Sequence, residues 1–286
     1  MTAGKLEPAQ GPAVEVTNLR KVYPVREGGR RSDFVAVDDV SFTLEAGGSL
    51  AIVGESGSGK TTLAKMLVGL ERPTAGKIEI LGVDRSAPER GAKARRRRGR
   101  DIQIVFQDPY TSLDRRQTVG DALAEVLRLH SERTRSQVAD RVVELAELVG
   151  LDARQVSALP SALSGGQRQR VAIARALAAE PTVLILDESV AALDVSIQAQ
   201  ILNLLADIRE RSAISYLLIS HDLAVVRQVT DDVIVMRRGE VVERGRTAEV
   251  LDHPTEPYTR LLRDSVPGPG WDPHRAASLS TTDSPV

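Results

Sequence analysis

Short apolar runs recur along the chain and stop abruptly at polar or glycine-containing segments. Val14–Thr17, Val35–Leu44, Ser49–Val53, Lys77–Ile80, Gln103–Phe106, Val183–Leu186 and Tyr216–Ile219 read as strands. Runs with apolar residues at helical spacing separate several of them, and that alternation predicts a mostly parallel sheet covered by helices. Asp232–Met236 and Glu240–Glu243 flank Arg237-Arg238-Gly239, the pattern of a hairpin that closes a sheet edge. From Val119 to Leu159 the chain is strand-poor. Leu123, Val126 and Leu127, then Val138, Val142, Val143 and Leu145, fall at helical spacings and predict an inserted helical subdomain over about 119–165.

The ends lack such patterning. Residues 1–13 alternate small, charged and proline residues and are expected to be a disordered lead-in. The tail 266–286 mixes Pro, Gly, Ser and Thr around Trp271, and the same is expected of it. Residues 14–265 are left as the folded domain. A total of 286 residues suits one large α/β domain carrying an inserted subdomain.

Charge and composition narrow the function classes. The chain has 38 Lys+Arg against 39 Asp+Glu, so no overall field draws it to nucleic acid or to an anionic membrane. Arg95-Arg96-Arg97-Arg98 is then expected to be a solvated loop between two strands. There is no cysteine, which excludes disulfides and any Cys-held zinc or iron–sulfur site. The first residues lack the apolar stretch of a secretory signal. No apolar run approaches the roughly 20 residues that span a bilayer, so any membrane role is expected to come through a partner.

The most specific local signal is Gly54-Glu55-Ser56-Gly57-Ser58-Gly59-Lys60-Thr61. It matches the phosphate-binding loop G-x-x-x-x-G-K-[ST], follows the apolar strand Ser49–Val53 and precedes a helical run from Thr62 to Leu70. Glycines let the backbone curl until its N–H groups converge on phosphates, where the helix start adds positive character. Lys60 is expected to neutralise the outer phosphates and Thr61 to coordinate Mg²⁺.

A second element, Val183-Leu184-Ile185-Leu186-Asp187-Glu188, is an apolar strand ending in two acids. Such a strand delivers carboxylates to the edge of a parallel sheet, with Asp187 suited to Mg²⁺ and Glu188 to polarising an attacking water. The third, Leu163-Ser164-Gly165-Gly166-Gln167, precedes the helical run Arg168–Ala178. Ser164 is a candidate N-cap, and Gly165 and Gly166 expose backbone N–H groups, so this is a second helix start able to meet an anion.

In this order and combination the motifs resemble those of the ATP-binding subunits of ABC transporters, over essentially Val14 to Ser265. The resemblance implies the P-loop NTPase fold of the ABC type: an α/β domain with a mostly parallel sheet core, an antiparallel β subdomain and an inserted helical subdomain. It implies ATP and Mg²⁺, with phosphates held from Gly54 to Thr62. It also implies two such domains packed head to tail, so that Ser164, Gly165, Gly166 and Gln167 of one close over the γ-phosphate held by the other. Tyr23 matches the aromatic residue that stacks on adenine, and Gln107 the glutamine that senses Mg²⁺ and water while linking to the membrane subunit. His221 matches the switch histidine, and Asp194 the aspartate of the loop crossing the dimer interface.

The family partners are a second ATPase subunit, two membrane-spanning permease subunits that would hold the chain at the cytoplasmic face of the membrane and, indirectly, an extracytoplasmic solute-binding protein, with no nucleic acid. The chain departs from the family pattern at Ser189, where proline is common, at Ala191, where serine is common, and at Pro160-Ser161-Ala162, which lacks the usual polar pair. Val105-Phe106-Gln107-Asp108-Pro109-Tyr110, then Ser112-Leu113-Asp114, and the C-terminal His253-Pro254-Thr255-Glu256-Pro257-Tyr258-Thr259-Arg260-Leu261-Leu262 are similar to the peptide and nickel importer group. Lacking cysteine, the chain resembles the subunit type without an iron–sulfur cluster. The alternative is a soluble ABC ATPase, such as an accessory of a phosphonate-degrading complex or, less well matched for want of duplicated domains, zinc modules or long coiled coils, a DNA-repair or translation ATPase. A regulatory nucleotide-binding module without turnover is disfavoured by Glu188 and His221.

Overall fold

A computed structural model describes residues 11–27, 30–87, 91–108, 113–189 and 194–265. The expectations for residues 1–10, Pro109, Tyr110, Ser112, Ala191, Ala192, Leu193 and the tail 266–286 lie outside the described residues. In chain order the elements are β1 (Pro12–Glu27), β2 (Arg30–Glu45), β3 (Ser49–Val53), α1 (Lys60–Leu67), β4 (Ala75–Ile80), β5 (Val83–Asp84), α2 (Ala92–Asp101), β6 (Ile102–Val105), α3 (Val119–His130), α4 (Arg135–Leu148) and α5 (Ala153–Val156). A 3₁₀ turn (Pro160–Ala162) leads into α6 (Gly165–Leu177), β7 (Val183–Asp187), α7 (Val195–Ser212), β8 (Ser215–Ile219), α8 (Leu223–Val229), β9 (Asp232–Arg237), β10 (Glu240–Arg246), α9 (Thr247–Asp252) and α10 (Pro257–Asp264).

These strands make two sheets. The larger has the order β10-β9-β3-β8-β7-β6, parallel from β6 to β9 and closed by the antiparallel β9–β10 hairpin. The hairpin turns through Arg238 and Gly239, both at positive φ, as a two-residue turn requires. The smaller sheet is antiparallel, with the order β2-β1-β4-β5. Its strands β1 and β2 start or end well beyond the runs Val14–Thr17 and Val35–Leu44. Several register shifts between them break the alternation on which those shorter assignments rested.

The large sheet is apolar on both faces, and alternate residues of each strand serve different cores. Ala51, Val53, Leu184, Leu186 and Leu218 face one cluster, together with α6, α7, α8 and the helical stretch α3–α5. Leu50, Ile52, Val183, Ile185, Leu217 and Ile219 face the other, with Leu63 and Leu67 of α1 and Val14, Val37 and Ile78 of the antiparallel sheet. Burial on both faces explains why these strands read as unbroken apolar runs. Residues 119–164 contain no strand, and the side chains of Thr118, Thr134, Asp152 and Ser164 each cap a helix start by accepting from a first-turn backbone N–H.

The arginine cluster requires a correction. Arg95–Arg98 is not a loop but part of helix α2, and Arg98 is buried. Its Nη2 donates to the carbonyls of Met66 and Leu67, at 3.1 and 2.8 Å, and its Nη1 to the carbonyl of Arg85 at 3.2 Å. The guanidinium therefore supplies a donor to the Leu67 carbonyl at the C-terminal end of α1 and a second one to the Met66 carbonyl, which also accepts the Gly69 N–H at 3.1 Å, and the helix dipole there favours a cation. Gly69, at φ 78°, makes room: a Cβ there would lie 2.5 Å from Arg98 Cζ. Arg95, Arg96 and Arg97 remain exposed, as a solvated cluster would be.

Arg98→Ala takes the guanidinium from three buried carbonyls, of which Met66 O keeps the Gly69 N–H, and is expected to cost about 2–3 kcal/mol. Arg97→Ala, on the exposed face, is expected to stay within about 0.5 kcal/mol of the unsubstituted protein. Chemical denaturation of both variants checks this, and equal stabilities would remove the capping role.

Candidate active site at the edge of the parallel sheet

The phosphate loop is the connection from β3 to α1, and neighbouring backbone confines it. Gly54 has φ 149°, and a Cβ there would sit 2.1 Å from the carbonyl oxygen of Met236 on β9. At Gly59, φ 104°, a Cβ would sit 2.3 Å from the carbonyl oxygen of Ala36 on β2. Only glycine fits either place. The turn of the β9–β10 hairpin braces the loop from outside, with Gly239 N donating to Ser58 O at 3.1 Å. Within the loop Ser58 N donates to Glu55 O at 3.2 Å, and Leu63 N to Gly59 O starts α1. Thr62 lies in the first turn of that helix.

Lys60 is buried, and its Nζ donates to the carbonyls of Gly54 and Glu55, both at 2.7 Å, and more distantly to Ser58 Oγ. Burial lowers its pKa, while Glu188, Asp187 and Glu55 act the other way. Glu55, Ser56, Gly57 and Thr61 are exposed.

The parallel sheet brings the acidic and histidine candidates to this loop. β8 lies between β3 and β7, so the C-terminal ends of these three strands carry Gly54–Thr61, His221 and Asp187-Glu188 side by side. Asp187 Oδ1 is 3.5 Å from Thr61 Oγ1. Burial first, and then the adjacent Glu188 carboxylate, push the Asp187 pKa up to about 6. Glu188 Oε1 is 3.6 Å from His221 Nδ1. Glu188 itself sits at φ 48°, a left-handed conformation that is uncommon for residues other than glycine, and its N–H is held by Ile219 O at 2.9 Å. The next side chain, Ser189, is buried, and its Oγ makes no hydrogen bond among the described residues.

Other candidates are placed around this centre. Gln107 is exposed just beyond β6, the strand beside β7. Tyr23 on β1 pairs across the strand with Phe34, two residues before the Ala36 that abuts Gly59, and the Lys21 ammonium lies 4.7 Å from the Tyr23 ring centroid. Ser164 caps α6 in a reciprocal box with Gln167. Gly165 is exposed at the first position of that helix, and a Cβ on Gly166 would meet Ile197 Cγ2 of α7 at 2.6 Å. Among the described residues no hydrogen bond or ion pair joins Ser164–Gln167 to the phosphate loop. Asp194, exposed, precedes α7 and accepts from Gln198 N through its backbone carbonyl. Glu55 N donates to Tyr258 Oη at 2.9 Å. Motif spacing gave no hint of that contact, because 203 residues separate the partners.

The donor set fits a magnesium–triphosphate. The loop is a glycine-dependent backbone cradle with a buried cation at its base, and a hydroxyl oxygen and a carboxylate oxygen, the hard ligands that Mg²⁺ takes, lie together at its rim. Among the described residues there is no cluster of three or more His, Cys, Asp or Glu that could hold a metal ion.

Known proteins are similar to this chain in sequence and in fold. The family profile described as ABC transporter matches residues 37–191. The dipeptide transport ATP-binding protein of Haemophilus influenzae is 42% identical over 258 residues, covering 90% of this chain and 78% of that protein. A putative peptide import ATP-binding protein of Brucella abortus is 49% identical over 241 residues, 84% of this chain and 72% of its own length. Among solved structures, a dimeric ATP-binding cassette in a post-hydrolysis state with ADP and phosphate superposes with a TM-score of 0.73 at 28% identity. It covers 82% of this chain and 98% of that one.

A buried carboxylate with a raised pKa destabilises the fold wherever it is ionised. The folded state binds the proton more tightly than the unfolded state, so the cost grows from pH about 4, is complete above pH about 6, and vanishes where both states are protonated. Asp187→Asn is accordingly expected to stabilise the protein by on the order of 2 kcal/mol at pH about 8, with the gain shrinking toward pH about 4. Thermal denaturation with chelator and without nucleotide checks this, and a lower melting temperature for the variant at pH about 8 would contradict it.

Proposed function

The chain belongs to the ABC transporter family of ATP-binding proteins, and on that premise we propose that it is the ATP-hydrolysing subunit of an importer for short peptides or a similar small solute. The observation that carries the reading is the meeting of phosphate loop, acidic pair and His221 at the ends of three adjacent parallel strands. The names of its relatives, dipeptide transport and peptide import ATP-binding proteins, support the cargo class. They also favour a transporter subunit over a soluble ABC ATPase without membrane partners.

In this mechanism the loop from Gly54 to Thr62 holds the phosphates of ATP through its N–H groups, and Lys60 turns from the loop carbonyls to the outer phosphates. Mg²⁺, held by Thr61 and Asp187 with Gln107 nearby, would neutralise charge on the phosphate oxygens. Glu188 accepts a proton from the attacking water as its oxygen bonds to the γ-phosphorus. The bond from that phosphorus to the bridging oxygen breaks, leaving ADP and inorganic phosphate. His221, beside Glu188, orients the water and contacts the γ-phosphate, while Tyr23 stacks on the adenine.

Ser164, Gly165, Gly166, Gln167 and Asp194 are assigned to the interface with a second ATPase subunit, where the α6 start faces the γ-phosphate bound by the partner. Among the described residues no hydrogen bond ties the α6 start to its own phosphate loop, in keeping with this assignment. Among the described residues no helix is long and apolar enough to cross a membrane. Attachment at the cytoplasmic face is therefore assigned to two permease subunits, supplied with solute by an extracytoplasmic binding protein.

Glu188→Gln is expected to bind ATP with near-unchanged affinity and to hydrolyse it about 10²–10⁴-fold more slowly. Near-normal turnover would end the general-base assignment. The tagged chain, purified from detergent-solubilised membranes, is expected to bring down two membrane-spanning subunits and an ATPase partner. Recovery of soluble enzymes alone would end the transporter reading and leave the ATPase.

A further inference from the structure

The segment His253–Leu262 has no part in the chemistry above, yet it reaches the phosphate loop. Glu243 on β10 anchors its start. Glu243 Oε1 accepts from Thr255 N and Thr255 Oγ1, both at 2.7 Å, and Oε2 from Glu256 N. Arg260 ties the same turn from the other side, donating to Pro254 O at 2.9 Å and Thr255 O at 3.0 Å. Pro257 then opens α10, which presents Tyr258 inward. The Tyr258 ring is buried, with the Arg237 guanidinium 4.9 Å from its centroid, and its hydroxyl accepts the N–H of Glu55. Arg237 borders the hairpin turn whose Gly239 N–H holds Ser58 O. The C-terminal helix, the hairpin turn and the phosphate loop are thus joined at one point.

We propose that Tyr258 is a positioning residue of the phosphate loop: its hydroxyl engages the second N–H of the loop and fixes the curl in which the later N–H groups meet phosphate. The inference rests on the loop being the ATP site. An N–H that loses its acceptor in this part-buried setting is costly, so removing the hydroxyl lets the loop rearrange to find another partner, and ATP must then restore the curl on binding. The loop holds phosphate in ground state and transition state alike, so the loss falls on affinity rather than on the chemical step. Linkage also runs backwards: whatever tightens the loop must tighten α10.

The test uses the full chain and Tyr258→Phe, which keeps the ring against Arg237 and deletes only the acceptor. Affinity for a non-hydrolysable ATP analogue is expected to fall about three- to tenfold, with KM for ATP rising alike, kcat within about twofold and little change in melting temperature. Tyr258 acting as core packing alone predicts unchanged affinity in the Phe variant, and that result overturns the proposal. A second measurement needs no variant: in the unsubstituted chain, the analogue with Mg²⁺ is expected to slow hydrogen exchange of the amides of Leu261 and Leu262. Unchanged exchange at saturating analogue also overturns it. If the unsubstituted chain itself failed to bind the analogue, the ATPase reading would fall instead.

Discussion

The site depends on a steric constraint in which two strands of different sheets press their carbonyls against one loop. Met236 O of the parallel sheet excludes a Cβ from Gly54, and Ala36 O of the antiparallel sheet excludes one from Gly59. The phosphate loop therefore exists in its shape only where the two sheets meet at a set separation. The second hydrophobic cluster, which unites Ile52, Ile234 and Met236 with Val14, Val37 and Ile78, holds that separation. Core packing and phosphate binding are in this sense one geometric problem, since a shift of either sheet changes the space in which the loop curls.

Around the loop the chain accepts local costs. Asp187 is a carboxylate taken out of water beside a second carboxylate, Glu188 is held at a positive φ, and Ser189 buries a hydroxyl that no described group satisfies. Each opposes folding on its own, and their concentration in three consecutive residues marks a stretch shaped by chemistry rather than by stability. The apolar strand before it offsets the cost, since β7 is buried along its whole length between β6 and β8.

How much of this was legible in the sequence varied with the range of the interaction involved. The loop Gly54–Thr61 and the strand ending at Asp187-Glu188 were readable because their chemistry is local: residue types at fixed spacing after an apolar run. The hairpin at Arg238-Gly239 was readable for the same reason. The arginine cluster was not, because four consecutive arginines look alike as letters, while only Arg98 reaches the carbonyls at the C-terminal end of α1. The full length of β1 and β2 was hidden by bulges, which interrupt a period-two pattern without ending the pairing. Tyr258 was visible as part of a distinctive string, but its contact with Glu55 belongs to the tertiary structure alone.

The close contact between Gly166 and Ile197 has a consequence for how such chains diverge. The two residues stand at the starts of α6 and α7, and the space a methyl group on residue 166 would need is already filled by Ile197 Cγ2. A mutational drift at either position is therefore not independent. Alanine at 166 becomes tolerable only after residue 197 has lost the branch at its Cβ, while valine at 197, which keeps that branch, is admissible only for as long as 166 stays glycine or the helices part. The pair behaves as one heritable unit, and a lineage can cross from one combination to another only along the path on which the smaller residue arrives first.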